Sequence, residues 1–395
     1  VGGLDRLQKG AALQPFAGEP APTTGTARLS RLALASALDT GLNAPPSAGY
    51  SMLYSLQALR AFAAWVVVCH HFMQIFFDFH ATGPIGQLLT DRGAVGVDIF
   101  FVISGLVIYL STRDKTIEPC QFLLNRALRI VPAYWFYTAL MAMLLLAFSQ
   151  WMPHQAFDWR HLFLSLLFIP AENPGGYGLY PTLNVGWTLN FEMFFYLLFG
   201  LAFLVRQRHH LLLMTAALLL VSEVLGRMGV VSRFYNNGII YEFLLGIGVG
   251  VLYRRGLIRQ GRWLPLALLG VAGMAIYYLD ASQRLLHWGL PSAMVVLAFV
   301  AMEPLFQGNR LLKALGDCSY SVYLIHVLVL YAGWFASERL HLNPFLTFAL
   351  CVPSIGLMSW FSYQWLERGL YRRMQAWLAA QRGPAPEYAL SRVNC

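Results

Sequence analysis

LYSLQALRAFAAWVVVCHHFMQIFF, residues 53–77, carries Arg60 and His71 within an otherwise apolar run. A helix needs about 20 residues to cross the hydrocarbon core of a bilayer, so this stretch is predicted to cross as a single helix. At about 100° per residue, the eleven-residue gap returns His71 to within about 20° of Arg60, about 16 Å further along the same face. His70 falls about 80° away. A charge in a membrane helix costs about 3 kcal/mol on insertion scales and normally faces a partner, an aqueous cavity or a substrate path. The pair therefore reads as one wall of an intramembrane site.

Nine further apolar runs follow: Gly93–Leu110, Ile130–Phe148, Gly186–Val205, Leu211–Leu225, Ile239–Tyr253, Trp263–Leu279, Gly289–Phe306, Ser319–Phe335 and Pro344–Trp365. With the first they predict an all-α, polytopic membrane protein of about ten transmembrane helices in one bundle. Leu162–Ile169 is apolar but too short to cross, and reads as interfacial or re-entrant. Composition agrees, since 57% of residues are hydrophobic and only 12% charged, against about a quarter charged in soluble chains. No polar block is large enough for a second core.

The net charge of +9 does not indicate nucleic acid, because the basic residues gather at helix ends with no long basic run interleaved with aromatics. Alternate loops beginning with Arg113–Arg129, together with the tail, hold 17 Lys and Arg, whereas the opposite loops hold 6. The positive-inside rule then predicts cytoplasmic termini. Cys69, Cys120, Cys318, Cys351 and Cys395 are scattered without Cys-x-x-Cys spacing, which suggests neither a disulfide framework nor a metal site.

Residues 1–51, with segments such as PFAGEPAPTTGT, are expected to be a disordered or non-native extension. Met52 is the first methionine and directly precedes the first span, so it is the expected start. The membrane domain is expected over 52–368, followed by a cytoplasmic tail at 369–395.

Four other segments place polar chemistry in or beside apolar helices. In GAVGVDIFFVISG, Asp98 lies among glycines that permit close helix approach, and its carboxylate needs a partner. It could orient His71, pair with an arginine, or form a purely structural bridge. NRALRIVPAYW sets Arg126 and Arg129 three residues apart on one helical face. Two planar guanidinium forks suit phosphate, although arginines also anchor helices at headgroups. VGWTLNFEMFFYLLFG holds Trp187 and the aromatic-flanked Glu192, a candidate proton carrier or hydrogen-bond donor, whereas Glu242 in IIYEFLLGIG is expected to snorkel to water. GDCSYSVYLIHV presents Ser319, Tyr323 and His326 on one face. It lacks the Gly-x-Ser-x-Gly turn of a serine hydrolase, so interhelical hydrogen bonding is the alternative reading.

Together LQALRAFAAWVVVCHHF, GAVGVDIFFVISG, NRALRIVPAYW, GWTLNFEMFFYLLF and CSYSVYLIHV resemble membrane-bound acyltransferase family 3, whose members O-acylate bacterial envelope glycans. The resemblance implies a ten-helix domain that takes an acyl group, most simply acetyl, from acyl-CoA on the cytoplasmic side of the inner membrane. The acceptor it implies is a sugar hydroxyl of an exopolysaccharide, lipopolysaccharide or lipid-linked oligosaccharide. No permanently bound cofactor is implied. Arg60, Arg126 and Arg129 match the family's arginines, His71 its first-helix histidine, and Ser319, Tyr323 and His326 its late-helix motif.

Some relatives carry a fused extracytoplasmic hydrolase-like domain. Only about thirty residues follow the last span here, so the membrane domain is expected to complete transfer alone, to serve a partner, or to act on a lipid-linked glycan. His71 is the expected general base. Asp98 or Glu192 is expected to orient it, with Arg126 and Arg129 on the CoA phosphates and Trp187, Ser319 and Tyr323 contributing to substrate contact. The rival class is a secondary transporter or glycan exporter, which predicts internal repeats and paired broken helices. No such repeat is visible. Oligomeric state is left open.

Overall fold

The computed structural model describes residues 53–80, 83–113, 115, 117–149, 152, 156–205 and 209–381. The expectations for residues 1–52 and for the end of the tail fall outside them. Among the described residues the regular elements are all helices, without a strand. The helices are α1 (Tyr54–Phe77), α2 (Pro84–Arg92), α3 (Val95–Thr112), α4 (Pro119–Phe148), α5 (Trp159–Leu166), α6 (Trp187–Ala202), α7 (His210–Leu219) and α8 (Glu242–Arg254). They continue as α9 (Trp263–Tyr278), α10 (Leu290–Ala301), α11 (Glu303–Phe306), α12 (Arg310–Asp317), α13 (Ser319–Leu340), α14 (Pro344–Ser362) and α15 (Tyr371–Gln381). Wider π-type turns extend α7 through Leu220–Leu225, join α14 to α15 through Tyr363–Leu370, and precede α10 at Leu285–Gly289.

Six of these segments are long and apolar enough to cross a membrane: Tyr54–Phe77, Val95–Thr112, Pro119–Phe148, Asn184–Ala202, Ser319–Leu340 and Pro344–Leu378. The chain is a multi-pass membrane protein. The other four expected spans are helical but shorter. Three form the apolar helices His210–Leu225, Trp263–Tyr278 and Leu285–Ala301, and the fourth is the 13-residue α8. The apolar stretch at Leu162–Ile169 falls largely within the eight-residue α5.

Helix ends are tied by side chains. The first two amides of α1 donate to the Glu303 carboxylate, each at 2.8 Å, so a residue on α11 caps a helix 249 positions away in sequence. Asp158 caps α5 through the His161 amide at 2.6 Å, and Asn343 caps α14 through Phe345 at 2.9 Å.

The core forms where α1 packs on both α3 and α13, flanked by α4, α6 and α8. Helix α3 lies flush on α8 because both present glycines at the crossing. A Cβ on Gly246 would sit 2.0 Å from the Val102 carbonyl oxygen, and one on Gly105 would sit 2.1 Å from that of Phe243. This close approach overturns the expectation for Glu242. Instead of snorkelling to water, it is fully buried between α3 and α8, with the turn at Leu285–Gly289 closed over it.

Candidate functional site

Two chambers meet inside the bundle. The narrower, about 120 Å³, is lined by Arg60 of α1, Arg126 and Arg129 of α4, Glu192 and Tyr196 of α6, and Tyr320 of α13. The wider, about 760 Å³, is lined by His70 and His71 of α1, Asn184, Trp187, Arg284 and the loop tyrosines Tyr177 and Tyr180. Val97 and Tyr323 line both, so they form the wall between them. The three central helices agree on the polarity of this arrangement. Along α1 the lining runs from Arg60 to His71, along α13 from Tyr320 to Trp334, and along antiparallel α3 from Val97 back to Ile108. Arg60 and His71 thus share a helical face, as their spacing predicts, yet serve different chambers because of the rise between them.

In the narrow chamber the arginines are held from several sides. The Arg126 guanidinium donates to Ser111 at 3.2 Å and lies over the rings of Phe122 and Tyr196, at 5.4 and 5.6 Å. Glu192 accepts hydrogen bonds from Tyr196 and from Ser104, and so belongs to this chamber rather than to His71. Glu367, buried on the turn after α14, accepts from Ser321 at 2.5 Å and acts electrostatically on Arg60 and Arg129. Asp317, the remaining carboxylate nearby, is paired with Lys313 at 2.6 Å. Three guanidiniums thus face the two carboxylates of Glu192 and Glu367, and with both ionised a positive excess remains for an anion.

The histidine pair fixes its own tautomers. His326 Nδ1 lies 3.0 Å from the Val322 carbonyl and His71 Nδ1 lies 3.0 Å from the Val67 carbonyl, and a carbonyl only accepts. Both Nδ1 atoms therefore carry hydrogen in the hydrogen-bond network, and His326 Nε2, 3.2 Å from His71 Nδ1, is a second acceptor for that hydrogen. His71 Nε2 is left with its lone pair, on a ring that lines the wide chamber. The orienting partner of His71 is thus His326, not Asp98 or Glu192. His70, on the adjacent face, is tied to the Leu89 carbonyl at 3.0 Å.

Both oxygens of Asp98 are taken by Arg284, through Nε and Nη2 at 2.9 Å each. The same guanidinium lies over Trp187 and Trp288, with its carbon 5.9 and 5.4 Å from the ring centroids. Tyr323 donates its hydroxyl hydrogen to the Val185 carbonyl at 2.8 Å and shares a 2.8 Å hydrogen bond with Thr188, which locks the dividing wall to the start of α6. Ser319 is fully buried and outside both linings.

Arg284 and Glu367 escaped sequence reasoning. Arg284 precedes an apolar run and counted as a loop cation, while Glu367 lies beyond the expected end of the last span. The unpartnered carboxylate of Asp98 was the one signal pointing to a missing cation.

The acyltransferase domain family matches residues 53–363 of this chain. The chain is 32% identical over 317 residues to the exopolysaccharide production protein ExoZ of Rhizobium meliloti (strain 1021), across 75% of this chain and 95% of that protein. It is 27% identical over 314 residues to the acyltransferase MdmB of Streptomyces mycarofaciens, across 71% and 80% respectively. Identity to nodulation protein 10 of Rhizobium leguminosarum bv. viciae is 25% over 320 residues, across 70% and 83%. No solved structure matches the chain.

Proposed function

The chain belongs to this acyltransferase family, and on that footing we propose that it moves an acyl group, acetyl in the simplest case, from acyl-CoA to a hydroxyl of an envelope or exported glycan. The observation that carries this reading is the pair of chambers meeting at Tyr323 and Val97, with an arginine cluster in one and the bare Nε2 of His71 at the other. The resemblance to a protein named for exopolysaccharide production supports the glycan as acceptor. The bundle crosses the inner membrane ten times, its four shorter helices included, and the arginine chamber opens to the cytoplasm with both termini, as the basic loops indicate.

Arg126 and Arg129 hold CoA phosphates through paired N–H donors, and the pantetheine arm carries the thioester past Phe100 towards Tyr323. His71 Nε2 removes the proton of the acceptor hydroxyl as its oxygen bonds to the thioester carbonyl carbon. The C–S bond then breaks, and the proton passes from His71 to the departing thiolate, so that CoA leaves as the free thiol. His326 Nε2 accepts the Nδ1 hydrogen of His71 throughout and spreads the charge that His71 acquires. Arg60, in the lining of the same chamber, would hold a phosphate or polarise the carbonyl.

Membranes containing the chain, given labelled acetyl-CoA and the host's extracted glycans, are expected to place label in glycan. His71→Ala is expected to lower that rate by at least about 10²-fold. Equal rates in the two preparations would remove His71 from the chemistry.

A further inference from the structure

We propose that the wider chamber is the acceptor site and that it takes an uncharged pyranose unit of a glycan, admitted from the face of the bundle opposite the arginine cluster. The inference deepens the acyltransferase reading and rests on it.

Size separates the two chambers. At about 760 Å³ the wide one lies within the ~300–1,000 Å³ typical of small-molecule sites, whereas the arginine chamber, at about 120 Å³, lies below that range. The lining then indicates what enters. Tyr177, Tyr180, Trp187 and Trp334 come from a loop and two helices and converge on one cavity. An aromatic belt at a membrane interface points outward to headgroups, but these rings line an interior. A pyranose presents C–H bonds on its faces and hydroxyls around its edge. The C–H bonds, weakly positive, suit the negative faces of aromatic rings, and Gln74, Asn184 and Asp78 in the same lining offer amide and carboxylate partners to the hydroxyls.

The platform is built rather than loose. The Tyr180 carbonyl accepts from Asn173 at 3.1 Å and lies 3.0 Å from His161 Nε2, while the Asn173 amide donates to Gly178 at 2.9 Å. Tyr177 and Tyr180 stand 5.7 Å apart, and Tyr180 lies 6.2 Å from Trp187, so the rings form a continuous surface. Charge favours a neutral ligand. Arg284 is already committed to both oxygens of Asp98, and Asp78 adds a carboxylate to the lining. A uronic acid or phosphorylated sugar would meet that carboxylate with the neighbouring guanidinium already engaged.

The test uses the full-length protein in right-side-out and inside-out membrane vesicles, with Trp334→Cys or, as a second variant, Tyr177→Cys. Host glycans are split by anion exchange into neutral and anionic fractions. An impermeant maleimide is expected to modify the introduced thiol in right-side-out vesicles, above the rate of the unsubstituted chain. The neutral fraction is expected to slow this at least fivefold, and the anionic fraction at equal sugar concentration is expected to leave the rate unchanged. Modification confined to inside-out vesicles, protection by the anionic fraction alone, or no protection by either fraction would each overturn the proposal. The labelling readout needs no acyl transfer. A protein that binds neutral glycan here yet moves no acetyl would keep the site and lose the acyltransferase reading.

Discussion

His71 owes its role to its neighbours more than to its own sequence context. The Val67 carbonyl and His326 Nε2 both call for hydrogen on Nδ1, and this leaves Nε2 with its lone pair for the base role proposed above. His326→Ala is therefore expected to lower kcat about 10- to 10²-fold, with the KM for acetyl-CoA unchanged and the pH–rate profile displaced. His326→Gln, whose side-chain carbonyl can accept the same hydrogen, is expected to recover part of the loss; equal losses in both variants would mark His326 as merely structural. Arg126→Ala or Arg129→Ala is expected to raise the KM for acetyl-CoA about tenfold or more, the cost of a charge-assisted hydrogen bond. Steady-state kinetics at varied acetyl-CoA concentration check this. These residues were legible in the sequence because each is a polar group in or beside an apolar helix at a spacing that fixes its face. For Asp98 the need for a partner was legible and an arginine was among the readings, but Arg284 and Glu367 themselves were not, since whether a buried charge faces a substrate or an internal partner depends on helices far away in the chain.

Helix contacts set how far apart those groups stand. The glycines of α3 and α8 bring the two backbones together, and Gly246→Ala would place a Cβ 2.0 Å from the Val102 oxygen. The backbones must part, and a loss of about 1–3 kcal/mol in stability is expected, read as a lower unfolding temperature in detergent. Glu242 illustrates the limit of reading helices singly. Its position near a helix end pointed to water, but the close packing of α3 and the turn before α10 bury it. Helix lengths were also only partly legible: Trp263–Tyr278 meets its expected span to one residue, whereas α8 and the helix at Leu285–Ala301 begin or end at turns that hydropathy does not mark. On α5, where His161 meets the Tyr180 carbonyl of the loop that walls the wide chamber, burial pushes the His161 imidazole below its ordinary value, against that hydrogen bond. The unfolded segment then takes up a proton before the folded one. Its contribution is complete above the unfolded value of about 6.5 and is lost as pH falls from there through the folded value. Amide exchange protection over residues 159–182 is expected to decline on acidification below about pH 6.5 and to lose this dependence in His161→Gln.

Taken as one body, the bundle holds two cavities that meet at Tyr323 and Val97, with an arginine cluster in one and the bare Nε2 of His71 in the other. The five sequence motifs define its central helices, and in the proposed topology the arginine end faces the cytoplasm. What the sequence did not reveal is the division into two chambers, which arises only when α1, α3 and α13 align their faces around one tyrosine. In the proposed mechanism donor access is therefore one-sided. The decisive measurement is acetyl transfer from impermeant labelled acetyl-CoA, added outside sealed vesicles that hold host glycans on both sides. Inside-out vesicles are expected to label glycan only when His71 is intact, and right-side-out vesicles are expected to give background alone. Transfer by His71→Ala at the full rate, or transfer confined to right-side-out vesicles, would contradict the account.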